Sequence, residues 1–138
     1  MSAAEFVDTN IFVYAYDPDQ GEKYAVAKAL IERLWVEVSG RISTQVLLEL
    51  YTTITRKKPA LSPATVFDLI EELSAWPVHP PTSSDVLTAI RLSVRHSLSI
   101  WDAMIVQAAI ASGCSILWSE DLQHGRRYEN VTVRNPFL

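Results

Sequence analysis

The chain has 138 residues, a formal net charge of −4 at pH 7, 49% hydrophobic residues and 20% charged residues. A chain of this size buries about two thirds of its unfolded surface, so we expect a single globular domain over residues 1–138 rather than a disordered protein. The negative charge excludes a broadly basic nucleic-acid binder, whose surface would be positive.

The amino terminus and the cysteine content both favour a cytoplasmic protein. The first residues lack the basic start and apolar run of a signal peptide, and no stretch has the length and hydrophobicity of a membrane span. The single cysteine, Cys114, cannot form a disulfide within the chain, which fits a reducing compartment. We therefore expect no contact with membranes.

Short apolar segments alternate with amphipathic segments along the chain. The pattern predicts strands at residues 4–7, 41–43, 76–79, 115–118 and 131–134, and helices after residue 8, over 22–38 and 45–56, from 63, from 83, and over 100–112. Strands that alternate with helices indicate an α/β fold, in which a short central parallel sheet is flanked by helices.

The first predicted strand runs directly into Asp8, Thr9 and Asn10, a polar interruption between apolar residues. A carboxylate and an amide are costly to bury unless other groups bind them. The carboxyl end of a strand is also where open α/β sheets bind ligands. Two interpretations are open: Asp8 or Thr9 caps the following helix, or Asp8 and Asn10 offer oxygen atoms to a hard cation such as Mg²⁺.

Three further acids occupy comparable positions. Glu49 borders the apolar stripe of its helix, Asp102 lies in the first turn of a helix that is apolar on nearly every side, and Asp121 follows the strand at residues 115–118. Each also has an ordinary structural interpretation. They would be a carboxylate at the rim of the core, a capping partner of Ser99 and a turn residue.

The four acids together predict a metal site, because strand ends and the following helix starts meet at one edge of a parallel sheet. Two carboxylates about 4 Å apart repel each other by roughly 4 kcal/mol at an effective dielectric constant of 20. Protonation or cations relieve this repulsion. A ligand set of carboxylates with few histidines or cysteines selects Mg²⁺ or Mn²⁺.

Motifs of several other sites are absent from the sequence. It contains no glycine-rich phosphate-binding loop, no G-x-S-x-G and no H-E-x-x-H. The three histidines, His79, His96 and His124, are far apart, and we interpret them as surface or locally hydrogen-bonded residues.

Four segments resemble the acidic motifs of PIN-domain nucleases, in the same order. They are residues 6–10 (FVDTN), 45–51 (QVLLELY), 101–105 (WDAMI) and 119–122 (SEDL). The end of the chain, with Gly125, Val131-Thr132-Val133 and Asn135-Pro136-Phe137, resembles that of VapC-type toxins of toxin–antitoxin pairs.

This resemblance implies a PIN-like three-layer fold and a Mg²⁺- or Mn²⁺-dependent endoribonuclease that acts as a toxin. The catalytic and metal-binding acids would be Asp8, Glu49, Asp102 and Asp121. Asn10 and Ser119 would support them through hydrogen bonds, and the serine-x-aspartate pattern places the fourth acid at Asp121 rather than at Glu120. The resemblance further implies an RNA substrate, a homodimer and a small antitoxin protein as inhibitor.

An acidic pocket that faces RNA also needs basic residues to guide the phosphates. The candidates are Arg56, Lys57, Lys58, Arg91, Arg95, Arg126 and Arg127. Each of them has the alternative of a solvated surface charge.

Three other functions were weighed against a nuclease. An aspartyl-phosphate phosphatase would need an aspartate at position 10, where the chain has Asn10, and a receiver-type signalling module would need a lysine late in the chain, whereas the last one is Lys58. A non-catalytic PIN-like module that binds RNA or protein remains open, because a metal site need not catalyse a reaction.

Overall fold

The computed structural model describes residues 2–138, so that Met1 lies outside the described part of the chain. The strands in this part are β1 (Glu5–Val7), β2 (Gly40–Ser43), β3 (Val78–His79), β4 (Ile116–Trp118), β5 (Arg127–Tyr128) and β6 (Val131–Arg134). The α-helices are α1 (Thr9–Ala15), α2 (Glu22–Glu37), α3 (Thr44–Lys57), α4 (Pro63–Leu73), α5 (Ser83–His96) and α6 (Ile100–Ala111).

The strands form one sheet in the order β3-β2-β1-β4-β6-β5. All neighbouring strands are parallel except β5 and β6, which pair antiparallel. Helix α6 packs on β2, β4 and β6 and against α5, whereas α1 contacts α2 and α3, and α3 contacts α4. The predicted α/β fold with a short, mostly parallel central sheet is confirmed, and β5 is a strand that the sequence pattern did not predict.

The centre of the sheet is the most deeply buried part of the molecule. Phe6 and Val7 of β1, Leu117 of β4 and Val133 of β6 are fully buried, and burial of such a side chain contributes about 1.5–3 kcal/mol. A close-packed interior has little freedom to shift. The ends of β1 and β4, and the residues that follow them, are therefore held in fixed positions.

The order of the strands reverses between β1 and β4. From β1 the chain moves outward to β2 and β3, and it then returns to β4 on the other side of β1. Open α/β sheets bind ligands in the crevice beyond the carboxyl ends of the strands at such a reversal. Asp8 follows β1 and Ser119 follows β4, so both residues lie at this crevice.

The helical spacing of Val86, Ile90 and Val94 predicts that these side chains of α5 point to the core, but the structure differs. Val86, Ile90 and Val94 are 41%, 45% and 79% exposed, whereas Asp85 and Ala89 are buried. Asp85 accepts hydrogen bonds from Thr82, His79 and Gln107. Because these partners lie on the inner side, they turn the acid inward and the apolar side chains outward.

Single residues set the ends of two helices. In the sequence Thr44 is a reasonable cap for α3, but the structure caps this helix with Ser43, whose hydroxyl accepts the backbone N–H of Val46 at 3.4 Å. Helix α2 is followed by Val38 in the left-handed conformation (φ 54°), in agreement with the predicted range 22–38. Gly40 belongs to β2, where a Cβ atom would come within 2.5 Å of the Trp76 ring, so the glycine makes room for this tryptophan.

No helix in residues 2–138 has both the length and the hydrophobicity needed to cross a membrane.

Candidate active site

The carboxylate of Asp8 is buried between β1 and α1, with the residue only 4% exposed. Its Oδ1 accepts the backbone N–H of Thr9 at 2.7 Å, which caps α1. Its Oδ2 accepts the Ser119 hydroxyl at 2.8 Å and the Asn10 amide at 3.2 Å. Asp8 is thus both a helix cap and the innermost acid of the crevice, so the two interpretations of this residue do not exclude each other.

The environment of Asp8 disfavours its ionised form. Burial raises the pKa of Asp8 to about 7, and the negative charges of Asp121 and Glu49 act in the same direction, against the hydrogen bonds from Ser119 and Thr9. In the absence of a cation, a substantial fraction of this carboxyl is protonated near neutral pH. A positive charge in the crevice would favour the ionised form.

Asn10 connects the end of β1 to the turn that follows β4. Its amide Nδ2 donates to Asp8 Oδ2 and, at 3.0 Å, to Asp121 Oδ2. Its Oδ1 accepts the backbone N–H of Glu120 at 3.1 Å. One amide therefore spans two carboxylates that are far apart in the sequence.

Ser119 is fully buried and makes the second connection between these segments. Besides donating to Asp8, its Oγ accepts the backbone N–H groups of Asp121 at 3.2 Å and Leu122 at 3.3 Å. The same hydroxyl thus holds Asp8 and fixes the backbone that carries Asp121.

Glu49 reaches the crevice from α3, where it is half-buried. Its Oε2 accepts the Thr9 hydroxyl at 2.8 Å, and its Oε1 accepts the Gln45 amide at 2.7 Å. Gln45 also donates to the carbonyl of Trp101 at 3.1 Å. This hydrogen bond ties α3 to the first turn of α6, which carries Asp102.

Asp102 lies in that first turn, and its backbone N–H donates to Ser99 Oγ at 3.1 Å, as expected of a capped helix. Burial raises the pKa of Asp102, and the charges of Asp121 and Glu49 raise it further, against the hydrogen bond with Ser99. Both Asp8 and Asp102 therefore experience Asp121 and Glu49 as nearby negative charges, which brings all four predicted acids into one electrostatic cluster.

An open cavity of about 350 Å³ adjoins this cluster. Glu49 and Asp121 line it together with Thr52, Thr53 and Lys57 of α3. Asp8 and Asp102 do not line it, because Asp8 is buried and Asp102 lies outside the cavity wall. The cavity thus joins acidic side chains to hydroxyl groups and one ammonium group.

The side chains around the crevice fit a hard divalent cation by their chemistry, since the polar groups of the four acids are all carboxylate oxygens that repel each other. As the side chains lie, however, no three acids, histidines or cysteines among residues 2–138 are close enough to ligate one ion. A cation held by one or two of these carboxylates, with water molecules as its other ligands, needs no such group of three.

Of the basic residues Arg56, Lys57, Arg91, Arg95 and Arg126, which the sequence offers as RNA contacts, one lines the cavity. Lys57 lines it, whereas its neighbour Arg56 is exposed and does not. Arg91 and Arg95 are exposed on α5. Arg126 is 3.1 Å from the His96 ring nitrogen and does not line the cavity.

Sequence reasoning missed four residues that hold the acids: Thr9, Gln45, Tyr14 and Lys23. The Tyr14 hydroxyl donates to Glu120 Oε1 at 2.6 Å, and Lys23 forms an ion pair with Glu120. Burial raises the pKa of Glu120, but Lys23 and the Tyr14 hydroxyl outweigh this effect and lower it. The spacing of Tyr14, four residues after Asn10, indicates that both side chains lie on one face of the helix. No sequence pattern indicates the role of Lys23, because its contact with Glu120 forms only in the folded chain.

The fold and the crevice define an α/β protein with an acidic site at the carboxyl ends of β1 and β4. The family model described as the PIN domain matches residues 6–130. The chain therefore belongs to the PIN-domain family, as the sequence resemblance predicted.

Solved structures with the same fold include toxins and toxin–antitoxin complexes. VapC20 of Mycobacterium tuberculosis, described as a toxin that cleaves the sarcin-ricin loop, is 24% identical over 86% of this chain and 92% of its own, with a TM-score of 0.67. A toxin–antitoxin complex from Klebsiella pneumoniae gives 17% identity over 96% and 98%, with a TM-score of 0.69.

VapBC2 from Rickettsia felis, solved with a DNA fragment from its promoter, is 21% identical over 96% of this chain and 98% of its own, with a TM-score of 0.67. At these identities the likeness shows the fold. No curated protein matches the chain.

The raised pKa of Asp8 predicts how stability depends on pH. The folded carboxyl titrates at about 7 and the unfolded one near its ordinary value of 3.8, so stability contributed by the protonated form is lost as the pH rises through this interval. In buffer with EDTA, we expect the free energy of unfolding of the parent protein to fall between pH 5 and pH 8 by on the order of a few kcal/mol relative to Asp8→Asn.

Urea denaturation at both pH values measures this difference. Asp68→Asn, at an exposed position of α4, is the matched control and should follow the parent. Equal pH dependence of the parent and Asp8→Asn would contradict the assignment.

Proposed function

We propose that the protein is a Mg²⁺- or Mn²⁺-dependent endoribonuclease that hydrolyses phosphodiester bonds of RNA and acts as the toxin of a toxin–antitoxin pair. One observation carries this proposal: Asn10 and Ser119 hold Asp8 and Asp121 together in one crevice. The negative charges of Asp121 and Glu49 raise the pKa values of both Asp8 and Asp102, so all four acids act on one another there. Membership of the PIN-domain family supports it. So does the similar fold of VapC20, which is described as a toxin that cleaves the sarcin-ricin loop.

In this proposal, Asp8, Glu49, Asp102 and Asp121 hold the cation. Asn10 and Ser119 keep Asp8 and Asp121 in place, and Thr9 and Gln45 do the same for Glu49. When bound, a divalent cation would lower the pKa of a water molecule and neutralise negative charge on the phosphate. The protein's own contribution is to orient the acids and to guide the RNA backbone.

The cavity supports a role for Lys57 in guiding RNA. Thr53 presents a hydroxyl group and Lys57 presents an ammonium group in the same wall of α3, and such groups donate to phosphate oxygens. The Thr52 hydroxyl donates instead to the Glu49 carbonyl at 3.0 Å. Arg56, Arg91, Arg95 and Arg126 remain proposed contacts for parts of the RNA beyond this cavity.

We expect the purified protein to cleave RNA with Mg²⁺ or Mn²⁺ and to stop on addition of EDTA. Asp8→Asn should lower kcat/KM by more than about 100-fold, since even residues that only support metal ligands cost 10–100-fold. Gel analysis of structured RNAs measures cleavage, with Asp68→Asn as the control that changes the same group outside the crevice. Cation binding without cleavage of any RNA would instead favour a non-catalytic PIN-like binding module.

Lys57 and Arg56 allow a paired test of RNA guidance, because they are consecutive residues of equal charge and only Lys57 lines the cavity. Lys57→Ala should raise the KM for RNA by about 10- to 150-fold, which corresponds to loss of a charge-assisted hydrogen bond. Lys57→Arg should recover part of the lost RNA affinity. Arg56→Ala should have a smaller effect. Steady-state kinetics at one salt concentration separates the two, and equal effects would indicate non-specific attraction only.

We also propose that the chain is a single domain, acts in the cytoplasm, and forms a homodimer that is inhibited by a small antitoxin protein. Two of the solved structures with this fold are toxin–antitoxin assemblies, which supports the antitoxin. The apolar side chains that α5 exposes, Val86, Leu87, Ile90 and Val94, offer a surface for pairing.

Expression of the chain alone should arrest growth, and Asp8→Asn should not, because it lacks the innermost acid. Co-expression of the product of the adjacent upstream gene should restore growth and co-purify with the chain, and sedimentation equilibrium should give a dimer mass. Equal toxicity of parent and Asp8→Asn would count against a nuclease toxin.

A further inference from the structure

Two consecutive acids, Glu120 and Asp121, follow β4, and both line the cavity that Glu49 also lines. Because both carboxylates reach the same cavity, each is a candidate ligand for a cation bound there. The structure nevertheless gives the two acids separate partners. Asp121 accepts a hydrogen bond from Asn10, whereas Glu120 is bound by residues of α1 and α2.

Helix α1 supplies one partner for each acid. Asn10 and Tyr14 are four residues apart and therefore share one face of the helix. The Asn10 amide donates to Asp121 Oδ2 at 3.0 Å, while its Oδ1 accepts the Glu120 backbone N–H at 3.1 Å. One turn later, the Tyr14 hydroxyl donates to Glu120 Oε1 at 2.6 Å.

Lys23 of α2 completes the environment of Glu120. Its ammonium group forms an ion pair with Glu120 Oε2 and lies 3.4 Å from the Tyr14 hydroxyl. It also lies 4.9 Å from the centre of the Tyr14 ring and 5.3 Å from that of Phe137, a placement that favours a cation. Both carboxylate oxygens of Glu120 are therefore occupied within the protein.

We propose that Lys23 and Tyr14 are positioning residues that keep Glu120 away from the cation, so that Asp121 is the acid after β4 that serves the site. This inference rests on the proposed function, since it concerns the cation of the nuclease. Without Lys23, the freed carboxylate of Glu120 would lie at the wall of the same cavity with no positive partner. A divalent cation would then attract it strongly.

Release of Glu120 has two opposite consequences. An additional carboxylate raises cation affinity, because the affinity of such sites depends on the charge of their ligands. The same carboxylate would occupy space beside the cation that RNA and water require, so turnover would fall. A gain in affinity together with a loss of turnover therefore distinguishes release of Glu120 from general damage to the site.

The test measures Mn²⁺ binding to the full-length, metal-free protein by isothermal titration calorimetry, alongside RNA cleavage. Lys23→Met keeps an unbranched side chain of similar length and removes the ammonium group that binds Glu120. We expect Mn²⁺ to bind about five- to tenfold more tightly to this variant, with a lower kcat. Lys28→Met is the matched control, because Lys28 lies on the same helix over the Tyr24 ring at 5.6 Å and pairs only with Glu32.

The double variant Lys23→Met/Glu120→Gln supplies a result that a merely structural role would not give. Because it has no carboxylate to release, its Mn²⁺ affinity and kcat should return towards those of the parent. Tyr14→Phe removes only the hydroxyl and should act in the same direction as Lys23→Met, which keeps the test available if the lysine variant does not fold. Thermal melting shows whether each variant is folded.

Two results would overturn the inference: unchanged Mn²⁺ affinity in both Lys23→Met and Tyr14→Phe, or a double variant as impaired as the single one. Its failure is distinguishable from failure of the proposed function. A parent protein that binds no Mn²⁺ and cleaves no RNA contradicts both. A parent protein that binds Mn²⁺ and cleaves RNA, with Lys23→Met behaving like Lys28→Met, contradicts this inference alone.

Discussion

The structure depends on one constraint, the burial of the Asp8 carboxylate at the end of the central strand β1. A buried carboxylate without partners is strongly destabilising, and here three donors come from two distant segments of the chain: Thr9, Asn10 and Ser119. Ser119 reaches Asp8 only when β4 lies beside β1. The crevice is therefore complete only when β1 and β4 are paired in the sheet.

The short helix α1 organises most of the acidic side chains. It begins at the Asp8 cap, and its residues Thr9, Asn10 and Tyr14 donate to Glu49, Asp121 and Glu120, respectively. A seven-residue helix in isolation would be unstable, so it is held by packing against α2 and α3. In return it fixes the directions of acids that come from α3 and from the turn after β4. Preorganisation of this kind places supporting groups on rigid elements rather than on mobile loops.

The crevice is also a place where stability is lowered. Asp8 and Asp102 both have raised pKa values because burial and neighbouring acids disfavour their charged forms. Raised pKa values of clustered acids are common at functional sites, and natural proteins accept such local costs where activity requires them. The large apolar core offsets this cost, because fully buried side chains such as Phe6 and Leu117 belong to the strands that lead into Asp8 and Ser119.

The sequence by itself determined the α/β class, the PIN-domain family and the positions at which acids follow strands, because hydrophobic periodicity and short motifs are local properties. It predicted hydrogen-bonding roles for Asn10 and Ser119, and the structure shows which atoms they join. Only the tertiary structure decided that Asp85 turns inward on α5 and exposes Val86, and that Lys23 binds Glu120. These outcomes depend on partners distant in sequence, which become neighbours only when the sheet and its helices pack, and no local pattern encodes them.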